Sequence, residues 1–287
     1  MPTIPHDASR TALLQPGSAT DFFSLGDLTS EAALCAEMAR VAYVKDEARL
    51  REYLTRARGV GLAGFELRAT IGYQGGGTQG FVATAPGVAV VAFRGTETDD
   101  PTDLFTDANF PFTDWLPDGQ LRGQVHVGFA EALTDALYTH LIAAIPKDVE
   151  QVWFTGHSLG AALATLAASR FGKAARLFTF GSPRVGDTAF AASMAHVTHT
   201  RFVDCCDMVT RVPPEVIGYI HSGTLHYINQ HGQVLVSPAE ELIDANRMAA
   251  SGQYLLEHAF RFGTVPVREL ADHAPLNYVS AVAGWRT

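Results

Sequence analysis

The sequence predicts an α/β architecture, a mostly parallel central sheet with helices on both faces. Three observations carry it. Between residues 65 and 93 short alternating or apolar runs are broken by turn residues, Gly75 to Gly77 and then Pro86-Gly87, which reads as an antiparallel meander. Beyond it, apolar strand patterns alternate with helical ones as far as Val203, the βαβ rhythm of parallel strands buried on both sides. One strand-to-helix junction in that stretch carries Gly156-His157-Ser158-Leu159-Gly160, a sharp-turn sequence that fits such a sheet edge.

Taken in order, residues 1–28 show little periodicity and form an extended N-terminal arm. A helix follows, with Thr29 or Ser30 as N-cap and Glu31 in its first turn. Its apolar stripe of Ala33, Leu34, Ala36, Met38, Val41 and Ala42 is expected to tie the arm down. The meander then supplies strands at 65–73, 81–84 and 88–93. The alternating part supplies a helix near 131–145, a strand at 151–155, a helix at 161–171, a strand at 176–180, a helix at 187–195 and a strand at 200–203. After Pro213-Pro214 come short strands at 225–228 and 234–236 around a turn at 230–232, and helical segments finish the chain. No internal repeat, low-complexity linker or composition shift divides it, so residues 1–287 read as one domain.

Hydrophobic residues make up 47% of the chain and charged residues 18%, enough apolar surface for a sizeable core. With 21 basic against 30 acidic residues the net charge is -9, which disfavours nucleic acid and anionic membrane surfaces as partners. No run approaches the roughly 18 apolar residues of a membrane span. Pro2, Pro5, His6 and Asp7 stand where a secretory leader would need a basic end and an apolar block. The expectation is a cytoplasmic protein on the sequence shown, or a secreted one if a leader has been removed. Cys35, Cys205 and Cys206 cannot make an even disulfide framework, and vicinal Cys205 and Cys206 read as small core residues. No CxxC, HExxH or EF-hand loop is present, so neither a metal nor a cofactor is called for.

The GxSxG junction points to nucleophilic chemistry. Val152, Trp153 and Phe154 run into it as a buried strand, and Ala161, Ala162, Leu163 and Ala164 leave it as a small-residue helix. A serine hydroxyl is a poor nucleophile, so the fold must hold it on a strained turn within reach of a base. Gly156 and Gly160 remove side chains that would collide there. The helix starting after Ser158 directs free N–H groups toward a reacting carbonyl, which makes the Leu159 N–H a candidate oxyanion donor. A serine of this kind needs a histidine and a carboxylate, following in the order Ser, Asp or Glu, His. Asp204 and Asp207, at the end of the 200–203 strand, are both candidates for the acid.

Several further blocks accompany the elbow: Val90-Val91-Ala92-Phe93-Arg94-Gly95-Thr96, His126-Val127-Gly128-Phe129, Thr179-Phe180-Gly181-Ser182-Pro183-Arg184-Val185-Gly186, Asp207-Met208-Val209 before Pro213-Pro214, and Asp272-His273. In this order they resemble the fungal-type class 3 lipases over residues 65–278. The resemblance implies an α/β-hydrolase fold, a Ser-Asp-His triad and hydrolysis of acylglycerols or similar apolar esters. Carried over, it makes Ser158 the nucleophile, Asp207 the acid because it stands just before the proline pair, and His273 the base, with Asp204 the rival acid. His221, His226, His231 and His258 also follow the acid and read as structural.

Thr96 matches the residue that supplies the family's second oxyanion donor through its N–H and hydroxyl. The resemblance also implies a lid, and residues 97–119, with Phe105, Phe110, Phe112, Trp115 and Leu116 among acidic residues, are the candidate. The implied partner is an apolar ester or lipid, with transient contact to a lipid interface. A short-chain or aryl esterase, or a phospholipase, would use the same site, and a catalytically silent lipid-binding protein would keep only the fold. The secreted members of that family normally carry a leader and paired cysteines, and the sequence shown displays neither.

Overall fold

Alternate side chains along the central strands separate into two apolar layers, one on each face of the sheet. In strand Val88–Phe93, Val90 and Ala92 join one core while Val91 and Phe93 join the other. The computed structural model describes residues 2–72, 77–95, 110–172, 175–258 and 261–287. Among them is an eight-stranded sheet in the order Val234–Val236, Thr224–Ile228, Val197–Asp204, Ala175–Phe180, Gln151–His157, Val88–Phe93, Gly80–Ala85, Glu66–Ile71. The middle pairings, from Val88–Phe93 across to Thr224–Ile228, are parallel. The meander at one edge and the last strand at the other are antiparallel.

One face is covered by helices Glu31–Val41 and Pro275–Val282, the other by Leu159–Arg170, with Val127–Ala132 packed on it. Ser30 caps the first of these by accepting the Ala33 N–H, and the following residues from Ala33 to Val41 are all buried. Among the described residues no helix is long and apolar enough to cross a membrane.

The structure differs from the sequence reading in four places. The helix expected at 131–145 is two, Val127–Ala132 and Asp135–Ala143, because Leu133 leaves the helical region and Thr134 caps a new start on the Leu137 N–H. A helix that the pattern did not indicate, Glu47–Arg56, is capped by Asp46 and buries only Leu50, Tyr53 and Leu54. The arm is not wholly extended: it contains helix Arg10–Leu14 and short 3-10 turns, and Phe22 and Phe23 enter the core. Its start pairs with the end of the chain, the Ile4 N–H donating to the Trp285 carbonyl at 2.6 Å and the Thr287 N–H to the Ile4 carbonyl at 3.0 Å.

The fourth difference concerns the segment read as a lid. Residues 97–109 lie outside the described residues, but the end of the segment is fixed structure. Strand Phe112–Asp114 pairs with Gln124–His126, and the Phe112 ring stacks on Tyr219 with centroids 4.0 Å apart. Trp115 is buried, and its indole N–H donates to Ser169 Oγ at 2.9 Å. A tryptophan satisfied in this way belongs to the core and cannot serve as an outward-swinging apolar side chain.

Candidate active site

Strand Gln151–His157 ends directly at Ser158, whose backbone (φ 58, ψ -129) lies in a region that non-glycine residues rarely occupy. Such a conformation costs on the order of 1–3 kcal/mol and persists only where the surroundings enforce it. Here they do so by close approach. A Cβ on Gly156 would lie 2.2 Å from the Gly160 carbonyl oxygen, and one on Gly160 would lie 2.3 Å from that of Phe93. The Ser158 N–H donates to the Phe180 carbonyl at 3.0 Å, which fastens the turn to the next strand.

His273 follows the short helix Arg268–Ala271. Its Nε2 lies 2.9 Å from Ser158 Oγ, and its Nδ1 lies 2.9 and 3.0 Å from the two carboxylate oxygens of Asp207. A carboxylate only accepts, so Nδ1 carries the proton and Nε2 is free to accept from the serine hydroxyl. All three side chains are buried. The arrangement can draw a proton from Ser158 while holding the resulting imidazolium beside a fixed negative charge.

The Asp207 carboxylate is held from several sides. Oδ1 accepts the Val209 N–H at 2.9 Å and Oδ2 accepts the Tyr278 hydroxyl at 2.6 Å. The same hydroxyl oxygen accepts the Asp204 N–H at 2.9 Å, so one phenol joins the strand end to the carboxylate three residues later. Burial and the adjacent Asp207 charge raise the Tyr278 pKa well above its ordinary value, which keeps it a donor. Gly181 (φ 59) closes the site from behind, where a Cβ would come within 2.8 Å of Asp207 Oδ2. Asp204 turns away instead and pairs with Arg286. Burial pushes its carboxyl up to about 8 against the pull of Arg286, with the charge of Asp272 adding to the rise.

His157 supports His273 through its backbone. Its Nε2 donates to the His273 carbonyl at 2.8 Å, and its Nδ1 accepts the Tyr43 hydroxyl at 2.8 Å. Burial first, and the neighbouring His273 second, hold its pKa well below the ordinary histidine value, consistent with this neutral form. Tyr43 also fixes Gly95, where a Cβ would lie 2.2 Å from the tyrosine hydroxyl and 3.1 Å from Ser158 Cβ. Sequence reasoning missed Tyr43 and Tyr278, because nothing in their local pattern reports a partner more than 70 residues away.

Leu159 is the first residue of the Leu159–Arg170 helix, so its N–H has no partner within the helix. Thr96 lies outside the described residues. The other histidines bond elsewhere: His221 to the Thr210 carbonyl at 2.8 Å, His126 to the Gly128 N–H at 3.1 Å, and His258 against the Tyr254 ring. His226 lies in strand Thr224–Ile228 and His231 in the turn after it.

Cys35, Cys205 and Cys206 are free and buried, the vicinal sulfurs 3.3 Å apart. Cys205, Cys206 and Asp272 bring donor atoms of metal-ligating types within 4.8 Å of one another. A cation there would meet Arg268, whose Nε already lies 3.0 Å from the Asp272 carboxylate.

Residues 90–217 match the family described as Lipase (class 3). The chain is similar to the secreted mono- and diacylglycerol lipase A of Penicillium cyclopium, at 31% identity over 179 residues, 59% of this chain and 58% of that protein. It is also similar to a lipase of Rhizomucor miehei, at 30% identity over 159 residues, 49% of this chain and 43% of that protein. It thus spans about half the length of these curated relatives. Among solved structures it is similar to lipase II from Rhizopus niveus, with TM-score 0.52, 26% identity and coverage of 69% of this chain and 77% of that one. The lipase from Rhizopus microsporus var. chinensis gives TM-score 0.52 and 25% identity, covering 79% of this chain and 82% of that one.

Proposed function

We propose that the chain, whose residues 90–217 match the class 3 lipase family and which has an α/β-hydrolase fold, hydrolyses carboxylic esters of apolar acyl groups, acylglycerols foremost. The observation that carries the reading is the buried line of hydrogen bonds from Ser158 through His273 to Asp207 beneath a strained elbow. His273 takes the Ser158 proton as the oxygen attacks the ester carbonyl, and the tetrahedral oxyanion is received by the Leu159 N–H together with Thr96. His273 then protonates the departing alcohol. Water, deprotonated by the same imidazole, attacks the acyl-enzyme and releases the acid, while Asp207 keeps the tautomer and offsets the imidazolium charge. A single oxyanion donor contributes about 10²–10³ in rate.

The substrate class rests on the family and on the names of the relatives, which are mono- and diacylglycerol lipases and lipases. The word "secreted" in the name of the Penicillium relative supports the extracellular one of the two locations read from the sequence. The lid read over residues 97–119 stays a proposal for the stretch before Phe110, with Phe105 among its apolar side chains and transient contact with a lipid surface as its use.

The test is hydrolysis of glycerol and p-nitrophenyl esters of graded chain length, alongside labelling by a fluorophosphonate. Wild type should be labelled and should turn over, and Ser158→Ala should do neither while keeping its circular dichroism. Labelling and turnover that survive in folded Ser158→Ala would refute the assignment. A maximum at acetyl or butyryl esters, with no activity on emulsified acylglycerols, would move the reading to an esterase on the same site.

A further inference from the structure

The base and the acid of the site reach one another from chain segments 66 residues apart, and one buried carboxylate, next to the base in the chain, touches the neighbour of the acid. Asp272 directly precedes His273, and its Oδ2 accepts the N–H of Cys206, which directly precedes Asp207, at 3.0 Å. The carboxylate is fully buried and is held by other groups in turn. His6 Nε2 donates to Oδ1 at 2.7 Å, Arg268 Nε lies 3.0 Å from Oδ2, and Arg286 approaches to 4.0 Å while pairing with Asp204. Against the cost of burial, His6 and the two guanidinium groups hold the Asp272 carboxyl below the ordinary carboxylate range.

His6 belongs to the N-terminal arm, outside the segment that matches the family. The arm is seated at this spot by further bonds. The Asp7 N–H donates to Asn277 Oδ1 at 2.9 Å, and Asn277 Nδ2 donates to the Asp7 carbonyl at 3.0 Å and to the Ala271 carbonyl at 3.1 Å. The His6 ring meets Tyr254 edge-on, and Tyr254 itself donates to the Val265 carbonyl at 2.7 Å. The arm is therefore bonded to the residues on either side of the base.

We propose that Asp272 and His6 are positioning residues of the hydrolytic site: Asp272 ties the acid loop to the base loop, and His6, brought by the N-terminal arm, holds Asp272 in place. A carboxylate bound at one end to the residue before the acid, and joined by a peptide bond to the base, sets the separation of imidazole and carboxylate. Loss of its partner lets that separation drift, and small misplacements at a reacting centre lower turnover before they lower binding. The inference rests on Ser158, His273 and Asp207 being the site proposed above.

The test is steady-state kinetics on a soluble p-nitrophenyl ester, with fluorophosphonate labelling rates and melting temperatures, for wild type, His6→Ala, His6→Gln, Asp272→Asn and Ser158→Ala. His6→Ala should lower kcat about tenfold, the size typical of a lost outer hydrogen bond to a site group. KM should stay unchanged, labelling should slow in parallel, and melting should shift by only a few degrees. His6→Gln keeps an N–H donor and should recover most of kcat. Asp272→Asn keeps an acceptor for the Cys206 N–H but not the charge, and should lower kcat at least as far. Wild-type kcat in folded His6→Ala, or equal losses in His6→Ala and His6→Gln, would overturn the proposal. If His6→Ala did not fold, wild-type kcat in Asp272→Asn would overturn it. Failure of both to fold would make the brace a folding element and overturn the positioning role as well. An active Ser158→Ala would fail the functional reading itself, whereas an inert Ser158→Ala beside a fully active His6→Ala fails this inference alone.

Discussion

Replacing His199 by glutamine should change how stability depends on pH, with a sign fixed by the burial of this imidazole. His199 sits in strand Val197–Asp204, its Nε2 2.9 Å from Thr179 Oγ1 and its Nδ1 3.1 Å from Ser222 Oγ. Burial, with the charge of Arg201 adding to it, lowers its pKa from 6.5 to about 3. Between those values the unfolded chain binds a proton that the folded chain refuses. The stability this site contributes is therefore present above pH 6.5 and is lost as pH falls toward 3. The loss for one such site is about 1.4 kcal/mol at pH 5.5 and about 2.7 kcal/mol at pH 4.5, relative to neutral pH.

Glutamine bears no proton in this range, so His199→Gln lacks that loss while sharing every other titration with wild type. The raised carboxyl of Asp204 and the lowered histidines His6, His157 and His221 thus cancel in the comparison. At pH 7.5 the variant should be the less stable protein, since it loses the fitted hydrogen bonds of the ring. The gap should narrow by about 1.4 kcal/mol at pH 5.5. Urea unfolding followed by tryptophan fluorescence at pH 7.5, 6.5, 5.5 and 4.5 measures it. A gap that stays constant, or widens, as pH falls would mean that His199 is protonated in the folded protein and that the reasoning is wrong.

Other perturbations separate the supports of the site. Tyr278→Phe leaves the buried Asp204 N–H without its acceptor and should cost about 1–3 kcal/mol in denaturant unfolding while also lowering kcat, so an unchanged protein on both measures would remove the phenol from the account. Gly160→Ala drives a Cβ against the Phe93 carbonyl and must part helix from strand, costing about 1–3 kcal/mol in a thermal melt and most of the turnover; wild-type values would mean the contact is loose. Asp207→Asn should reduce kcat by about 10⁴-fold, the size of the same change in a serine protease, whereas Asp204→Asn, which faces Arg286, should lower the melting temperature more than the turnover. A larger kinetic loss in Asp204→Asn would reverse the two roles.

What the sequence makes legible follows from how local the physical cause is. The parallel sheet is visible because strand burial on both faces leaves continuous apolar runs such as Val88 to Phe93 and Val152 to Phe154, and because turn residues punctuate them. The Glu47–Arg56 helix is hard to see because it presents only Leu50, Tyr53 and Leu54 to the core, too short a stripe to stand out among its charges. The break at Leu133 and Thr134 had a local signal, a threonine followed by an acidic residue, overridden by the apolar pattern on either side. Trp115 and Phe112 count as exposed aromatics in a polar stretch until Ser169 and Tyr219 are brought against them. Tyr43, His6 and Tyr278 bond to partners 71 or more residues distant, and no period or motif encodes such a meeting.

All three thiols lie inside the fold, and they do not lie in the same place. Cys35 is on the Glu31–Val41 helix against the sheet, while Cys205 and Cys206 lie behind the Asp207 and Asp272 loops under helix Glu240–His258. An alkylating reagent can reach any of them only when the covering structure opens, so the rate of modification under native conditions counts openings. Modification of the vicinal pair ahead of Cys35 would show the end of the chain lifting away as a unit while the sheet stays closed. Equal rates at all three would show that the molecule comes apart only as a whole. The native chain thus carries its own probes of cooperativity, with no label introduced and no residue changed.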